Sequence, residues 1–388
     1  MLLLPITLAV MGIIVLVPVL PQLMAHFEAI PNYKYLIQGG VLTMPALCVM
    51  MFSPAAGWLA DRFGRRRLLI LAMVLYALLG ICPLLLDDLY AIIASRVGVG
   101  ACESVVVTVS TTLISDYFKG ADREKWLASQ TAVASASSLV LIYISGLLGA
   151  TYGWRGPFAI YVFSLILAAG IWLLTWEPTP DSRAERVAAD MATQGAAKFP
   201  WGRMSGICVV TLFASIMFYT VQTQSSLALN SLGIRDPAKL GLLTAIACVG
   251  VLVGTLIFRL LARFALNRLL ALEFLIIGAG FMSMGKAGNS WQFVVGAAMN
   301  QIGCGMILPT LLTWATRGLQ FEFRGRGNGT WQATFALGQF LSGMVVTLLG
   351  DTVGGILPAF FFLGVANAAA AVISGLARAR PGASVPAL

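Results

Sequence analysis

The chain has 388 residues, of which 59% are apolar and only 11% charged, and it carries a formal net charge of +9. That is more apolar surface than a water-soluble domain of this length can bury, so lipid must cover much of it and the chain reads as an integral membrane protein. The basic excess is spread along the chain without an interleaved aromatic patch, which excludes nucleic acid as a partner. A bilayer core of about 30 Å needs about 20 apolar residues per helical crossing. Stretches of that length predict twelve transmembrane helices, at 2–24, 36–60, 67–86, 89–115, 126–150, 157–176, 204–230, 240–262, 268–286, 291–316, 328–350 and 354–376. The first of them, beginning MLLLPITLAVMG, has no basic region ahead of it and no small-residue cleavage site, and is read as a span rather than a removable leader. The longest polar interval, EPTPDSRAERVAADMATQGAAKFPWGR, follows the sixth span. It divides the chain into an N-terminal six-helix bundle (1–176), a linker (177–203) and a C-terminal six-helix bundle (204–388).

Basic residues gather in alternate loops. One set holds Arg62, Arg65, Arg66 and Arg67, then Lys119, Arg123 and Lys125, then Arg183, Arg186, Lys198 and Arg203. The same set continues with Arg259, Arg263 and Arg268, with Arg317, Arg324 and Arg326, and with Arg378 and Arg380. The other loops hold only Lys34, Arg155, Arg235, Lys239 and Lys286. Because Lys and Arg mark the cytoplasmic side, both termini and the linker are expected in the cytoplasm, as in a bacterial inner membrane. The six cysteines fall singly inside spans, without a C-x-x-C pair or a neighbouring histidine, and are read as packing residues rather than a metal site. His26 is read as an interfacial polar group. Weak echoes cross the linker: Gly57 corresponds to Gly254, and REKWLASQ to RGNGTWQATF, a pattern of secondary transporters built from two six-span halves.

The most charged stretch is GWLADRFGRRRLL, residues 57–69. With Gly57, Leu59, Asp61, Arg62, Gly64, Arg65, Arg66 and Leu69 in register, it resembles the loop signature between spans two and three of the major facilitator superfamily. GIIVLVPVLP (12–21) resembles the first-span motif of the twelve-span drug-proton antiporter branch. Arg96 with Gly100 resembles a fourth-span motif, and Gly153, Trp154 and Arg155 resemble the outer end of span five. The resemblance implies an all-α fold of twelve helices in two pseudo-symmetric six-helix bundles. It also implies a conformational gate at Gly57, Asp61, Arg62, Gly64, Arg65 and Arg66, in which Asp61 sits at a helix N-terminus of the other half and Gly57 lets helices approach. The chain departs from the family where its antiporter Gly-Pro pair would fall, at Leu141 and Ile142. Val99 stands where Gln is usual, Cys102 where Gly is frequent, and Phe258 where a second copy of Asp61 would lie.

Ionisable groups inside a membrane are expensive and point to function. At about 1.5 Å per residue from Leu89, Arg96 lies about 10 Å deep and Glu103 about 21 Å. Seven residues bring the two to one helix face, expected to line a cavity, with a water bridge between them rather than a direct pair. A carboxyl at mid-membrane is costly to keep charged, which suits Glu103 to carry a proton, whereas Arg96 stays charged and tunes it; a structural hydrogen bond is the alternative for Glu103. Glu273, five residues into span nine, can reach the interface and is read as structural. The substrate-binding candidates are Tyr219, Gln222 and Gln224 in span seven, Asn300 and Gln301 in span ten, and Trp331, Gln332, Phe335 and Gln339 in span eleven, supplemented by Met44 and Met306. Each of them alone reads more readily as glue between helices than as a ligand contact.

GFMSMGKA (280–287) has the spacing of a nucleotide-binding loop but Ala287 where Ser or Thr must hold magnesium, so no nucleotide or other cofactor is expected. The sequence therefore predicts no enzyme but a monomeric, proton-coupled secondary transporter of a small molecule, exporting amphipathic compounds. Two alternatives stand beside that reading: uptake of a small organic anion held by Arg96, and a non-transporting sensor or scaffold on the same fold.

Overall fold

The computed structural model describes residues 1–118, 120–177, 199–316 and 321–376. Most of the expected linker lies outside the described residues, as do Lys119, Arg183, Arg186, Lys198, Arg317, Arg378 and Arg380. Contacts divide the chain into two compact units, Met1–Lys198 and Phe199–Leu388, and no strand occurs among the described residues. Nine described helices are long and apolar enough to cross a bilayer, or ten if the pair Tyr33–Leu42 and Met44–Phe63, bent by 42°, is one span. One of the nine, Lys125–Leu174, runs for 50 residues, more than two crossings need.

The first unit comprises α1 (Ile6–Ile14), α2 (Leu20–His26), α3 (Tyr33–Tyr35) continued by a π-helical stretch Leu36–Leu42, α4 (Met44–Phe63), α5 (Arg65–Ile81), α6 (Leu89–Tyr117), α7 (Gly120–Tyr152), a 3-10 stretch Gly153–Val162, and α8 (Phe163–Leu174). The 3-10 stretch starts at Gly153, whose φ of 70° turns the chain so that the stretch packs back on α7. Asp88 starts α6 by accepting from the Ala91 amide at 2.8 Å, as an N-cap carboxylate does. α6 is the central element, packed on α1, α4 and α5.

The first span is not the continuous helix expected at 2–24. α1 stops at Ile14, and residues 15–19 form successive turns before α2. Pro18 and Pro21 lack the amide hydrogen that a continuing helix needs and bias the residues before them away from helix. The amides of Leu16 and Val17 accordingly bond three residues back, to Ile13 and Ile14. A second interruption, at Thr43, precedes Pro45, which cannot donate to the carbonyl of Val41. Both breaks leave carbonyls for other helices to satisfy.

The second unit comprises α9 (Trp201–Ser231), α10 (Pro237–Leu261), α11 (Leu266–Gly285), α12 (Ser290–Thr316), α13 (Phe321–Val353) and α14 (Ile356–Leu376). α11 packs on α12 and α14, α9 on α13, and α10 on α12. The last pair is interlocked at the backbone: a Cβ on Gly250 would overlap the Ala298 carbonyl, one on Gly254 the Ile302 carbonyl, and one on Gly305 the Val251 carbonyl. Small residues permit this approach between membrane helices.

Candidate functional site

In the first unit, side chains of three helices converge on the carbonyls of α1 and of the residue that follows it. Tyr76 donates its hydroxyl to Leu8 O at 2.6 Å, Arg96 donates Nη2 to Gly12 O, and Ser145 donates to Val15 O. Gly12 O is available because the Leu16 amide, its partner in a continuous helix, has turned to Ile13. Arg96 also donates Nε to Val41 O at 3.1 Å, the carbonyl orphaned by Pro45, and Nη1 to the Tyr161 hydroxyl at 2.6 Å. Gly100 makes this reach possible, since a Cβ there would collide with Pro45 and Cys48 of α4. Arg96 is fully enclosed, with its charge also facing the Tyr161 ring at 5.3 Å from the centroid. The guanidinium thus ties α6 to α1, to the α3–α4 junction and to the 3-10 stretch.

Glu103 is 4% exposed and meets the same residue from the other side. A Cβ on Gly12 would overlap its Oε2, and that oxygen has no hydrogen-bond partner. Arg96 and Glu103 therefore share a face of α6, as their spacing predicts. That face meets α1, where the missing side chain of Gly12 lets the helices close. No ion pair joins the two among the described residues, and both meet Gly12.

At the α4–α5 turn the basic motif forms a network. Arg65 pairs with Asp61 at 2.9 Å and with Asp116 at the end of α6. Glu177 folds back from the start of the linker, accepting from the Arg65 amide at 2.6 Å and the Arg66 amide at 3.0 Å, while Arg66 donates to Trp172 O. Trp176 stacks on Tyr117, centroids 4.4 Å apart, and Arg62 lies over Trp58 at 5.5 Å. Gly64 forms the turn with φ 91°. A Cβ on Gly57 would touch only Thr108 Cγ2, at 4.0 Å, so the close approach expected at Gly57 occurs at Gly100 instead. Asp116, Glu177 and Tyr117 were not singled out from sequence, although an acid ending span four on the same side as four arginines was a usable signal.

The binding candidates of the second unit separate into two groups. Gln222 donates to Gln301 at 3.4 Å, Gln301 to Asn300 at 3.2 Å, and Asn300 to Ile277 O at 3.1 Å, a chain joining α9, α12 and α11. Gln224 donates to Thr223 at 3.3 Å and is likewise buried. The second group is aromatic: Phe335 meets Tyr219 at 5.4 Å, Phe218 at 6.0 Å and Trp331 at 5.3 Å. The buried Trp331 Nε1 has no hydrogen-bond partner. Gln332 is exposed and Gln339 partly so. Glu273 does not reach the interface: it is fully buried, with Oε1 at 2.6 Å from the Thr310 hydroxyl and Oε2 without a partner. Its place on the α12-facing side of α11 directs it inward. No three His, Cys, Asp or Glu side chains converge as a metal site among the described residues.

The sequence profile described as Major Facilitator Superfamily matches residues 2–284. The chain is 25% identical over 330 residues to the bacillibactin exporter of Bacillus subtilis, covering 80% of this chain and 79% of that protein. It is also 25% identical over 246 residues to protein spinster homolog 3 of Danio rerio, covering 56% of this chain and 49% of the relative, so it spans about half of that protein's length. Among solved structures, a D-xylose-proton symporter superposes with a TM-score of 0.78 at 17% identity, over 100% of this chain and 99% of that one.

Proposed function

This chain belongs to the Major Facilitator Superfamily and is a membrane transporter, not an enzyme, and on that premise we propose that it is a proton-coupled secondary transporter exporting small amphipathic molecules. The relative that is itself an exporter supports the direction, and the basic loops support an inner-membrane orientation with both termini cytoplasmic. The protein acts as a monomer.

The observation that carries the proton coupling is Glu103, buried with an unpartnered Oε2 against Gly12. A neutral carboxyl fits that contact. A carboxylate there would need a donor or water that the packed α6–α1 contact does not supply, so ionisation favours opening the contact. Arg96, which holds the carbonyl of Gly12, converts any separation of Glu103 and α1 into strain on three helix junctions, and is a positioning residue in this scheme. Solute is gripped by the aromatic group Tyr219, Phe335 and Trp331, with the Trp331 indole N–H as donor; Gln222, Asn300 and Gln301 hold helices. Asp61, Arg62, Arg65 and Arg66, with Gly57 and Gly64 at their turn, form the gate. Uptake of an organic anion on Arg96 is disfavoured, because three protein acceptors already enclose its guanidinium.

The test is Glu103→Gln in proteoliposomes, screened with amphipathic cations and neutral dyes. Gradient-driven accumulation is expected to vanish while downhill exchange persists without pH dependence. Accumulation at the wild-type level would remove Glu103 from the coupling. Absence of flux with any gradient in the wild type would favour a sensor or scaffold.

A further inference from the structure

The end of α10 and the start of α11 are joined by a turn of four residues, 262–265, between two helices apolar enough to cross a bilayer. The turn therefore lies at a membrane surface. Arg259 in the last turn of α10, Arg263 in the connection and Arg268 in the first turns of α11 are all exposed. None has a hydrogen-bond or ion-pair partner among the described residues, and Arg263 lies only over the Phe264 ring at 5.8 Å. The carboxylates of this unit whose side chains are described, Asp236, Glu273 and Asp351, lie elsewhere. Asp236 caps the opposite end of α10, about 35 Å away at 1.5 Å per residue. Glu273 is buried, and Asp351 is at the far end of α13.

Beside the arginines is a half-open surface groove of about 220 Å³ lined by Phe264, Arg268, Leu269 and Leu272. Its floor, Leu269, is buried, while Phe264 and Leu272 stand 42% and 39% exposed as apolar walls. The volume falls below the roughly 300–1,000 Å³ of a site that encloses a drug-sized solute. It suits a length of hydrocarbon chain whose polar end remains outside. Positive charge at the rim and apolar lining below reproduce the two ends of an amphiphile at a bilayer surface.

We infer that this notch is a binding site for an anionic glycerophospholipid, with the phosphodiester held by Arg268 and Arg263, Arg259 adding to the local field, and an acyl chain against Phe264, Leu269 and Leu272. Arginine suits the role, because its planar fork pairs two phosphate oxygens at once. Each arginine near an anionic surface contributes about a fivefold gain in binding.

The experiment is native mass spectrometry of the purified full chain in detergent, titrated with phosphatidylglycerol and with phosphatidylcholine of the same acyl chains, with glycerol phosphate as competitor. Phosphatidylglycerol is expected to bind preferentially, and Arg268→Ala and Arg263→Ala each to weaken it about fivefold while leaving phosphatidylcholine unchanged. Leu272→Trp, which fills the notch, is expected to weaken phosphatidylglycerol without touching the charge. Equal binding of the two lipids, or an unchanged Arg268→Ala, overturns the site. Displacement by glycerol phosphate at equal concentration overturns the lipid in favour of a soluble anion. Arg268→Gln, at an exposed position, replaces the alanine variant if that one melts at lower temperature than the wild type.

Discussion

Gly12→Ala isolates the contact on which the coupling scheme depends. The added methyl would overlap Glu103 Oε2, so either the carboxyl rotates away or α1 moves. Two effects on stability oppose each other. Alanine is about 1 kcal/mol better than glycine inside a helix, and overpacking of a filled site costs about 1–3 kcal/mol. Because the clashing atom is the far end of a flexible side chain, the cost falls at the lower end, and a net loss of no more than about 2 kcal/mol is expected. The functional effect is larger, since the carboxyl is displaced from its seat. Glu103→Asp draws the carboxyl back by one methylene and makes room for the methyl, so the double variant is expected to be more stable than the sum of the single changes by at least about 0.5 kcal/mol. Denaturation of the purified chain in detergent gives the four corners of the cycle, and the pH profile of transport in proteoliposomes gives the functional readout. Additivity within about 0.3 kcal/mol, together with an unaltered pH profile for Gly12→Ala, would refute the idea that Glu103 acts through Gly12.

Arg96→Lys keeps the charge but cannot serve acceptors spread over α1, the α3–α4 junction and Tyr161; leaving one carbonyl unsatisfied is expected to cost about 1–3 kcal/mol, measured by denaturation, with transport slowed in parallel. Asp61→Asn removes an exposed i,i+4 pair with Arg65 worth about 0.3–0.5 kcal/mol, so the melting temperature is expected to hold while turnover in proteoliposomes falls; unchanged turnover would take the gate away from Asp61. Trp331→Phe deletes an indole N–H that has no protein partner, so stability is expected to be retained while affinity for hydrogen-bond-accepting solutes drops several-fold, as read by equilibrium binding.

The spacing of apolar runs gave the helical class and the positions of most spans, because lipid makes length and hydropathy the dominant constraints. It missed the break after Ile14. Pro18 and Pro21 were visible, but apolarity alone does not report where a helix stops, and a membrane helix tolerates proline when neighbours supply donors. The shared face of Arg96 and Glu103 was legible from their seven-residue interval. What that face touches was not, because the answer lies in Gly12, whose relevant property is an absence of side chain. The interfacial placement of Glu273 failed for a similar reason: depth along a helix can be counted, whereas azimuth toward α12 depends on which neighbour packs there. The role of Asp116 and Glu177 required knowing that the ends of α6 and α8 return to one turn. Of the polar candidates, sequence could not separate Asn300, which spends its amide on Ile277 O, from Trp331, which leaves its donor unused.

The glycines that let α10 and α12 meet backbone to backbone also limit how the second unit can deform. Between ordinary helices, small sliding is absorbed by side chains changing rotamer. At Gly250, Gly254 and Gly305 there are no side chains to rearrange, and the carbonyls of Ala298, Ile302 and Val251 fill the space. The two helices behave mechanically as a single strut, and α11 joins α12 in the same way, since a Cβ on Gly280 would overlap the Asn300 amide and the Gly296 carbonyl. A cross-link between α10 and α12 is therefore expected to be compatible with a full working cycle.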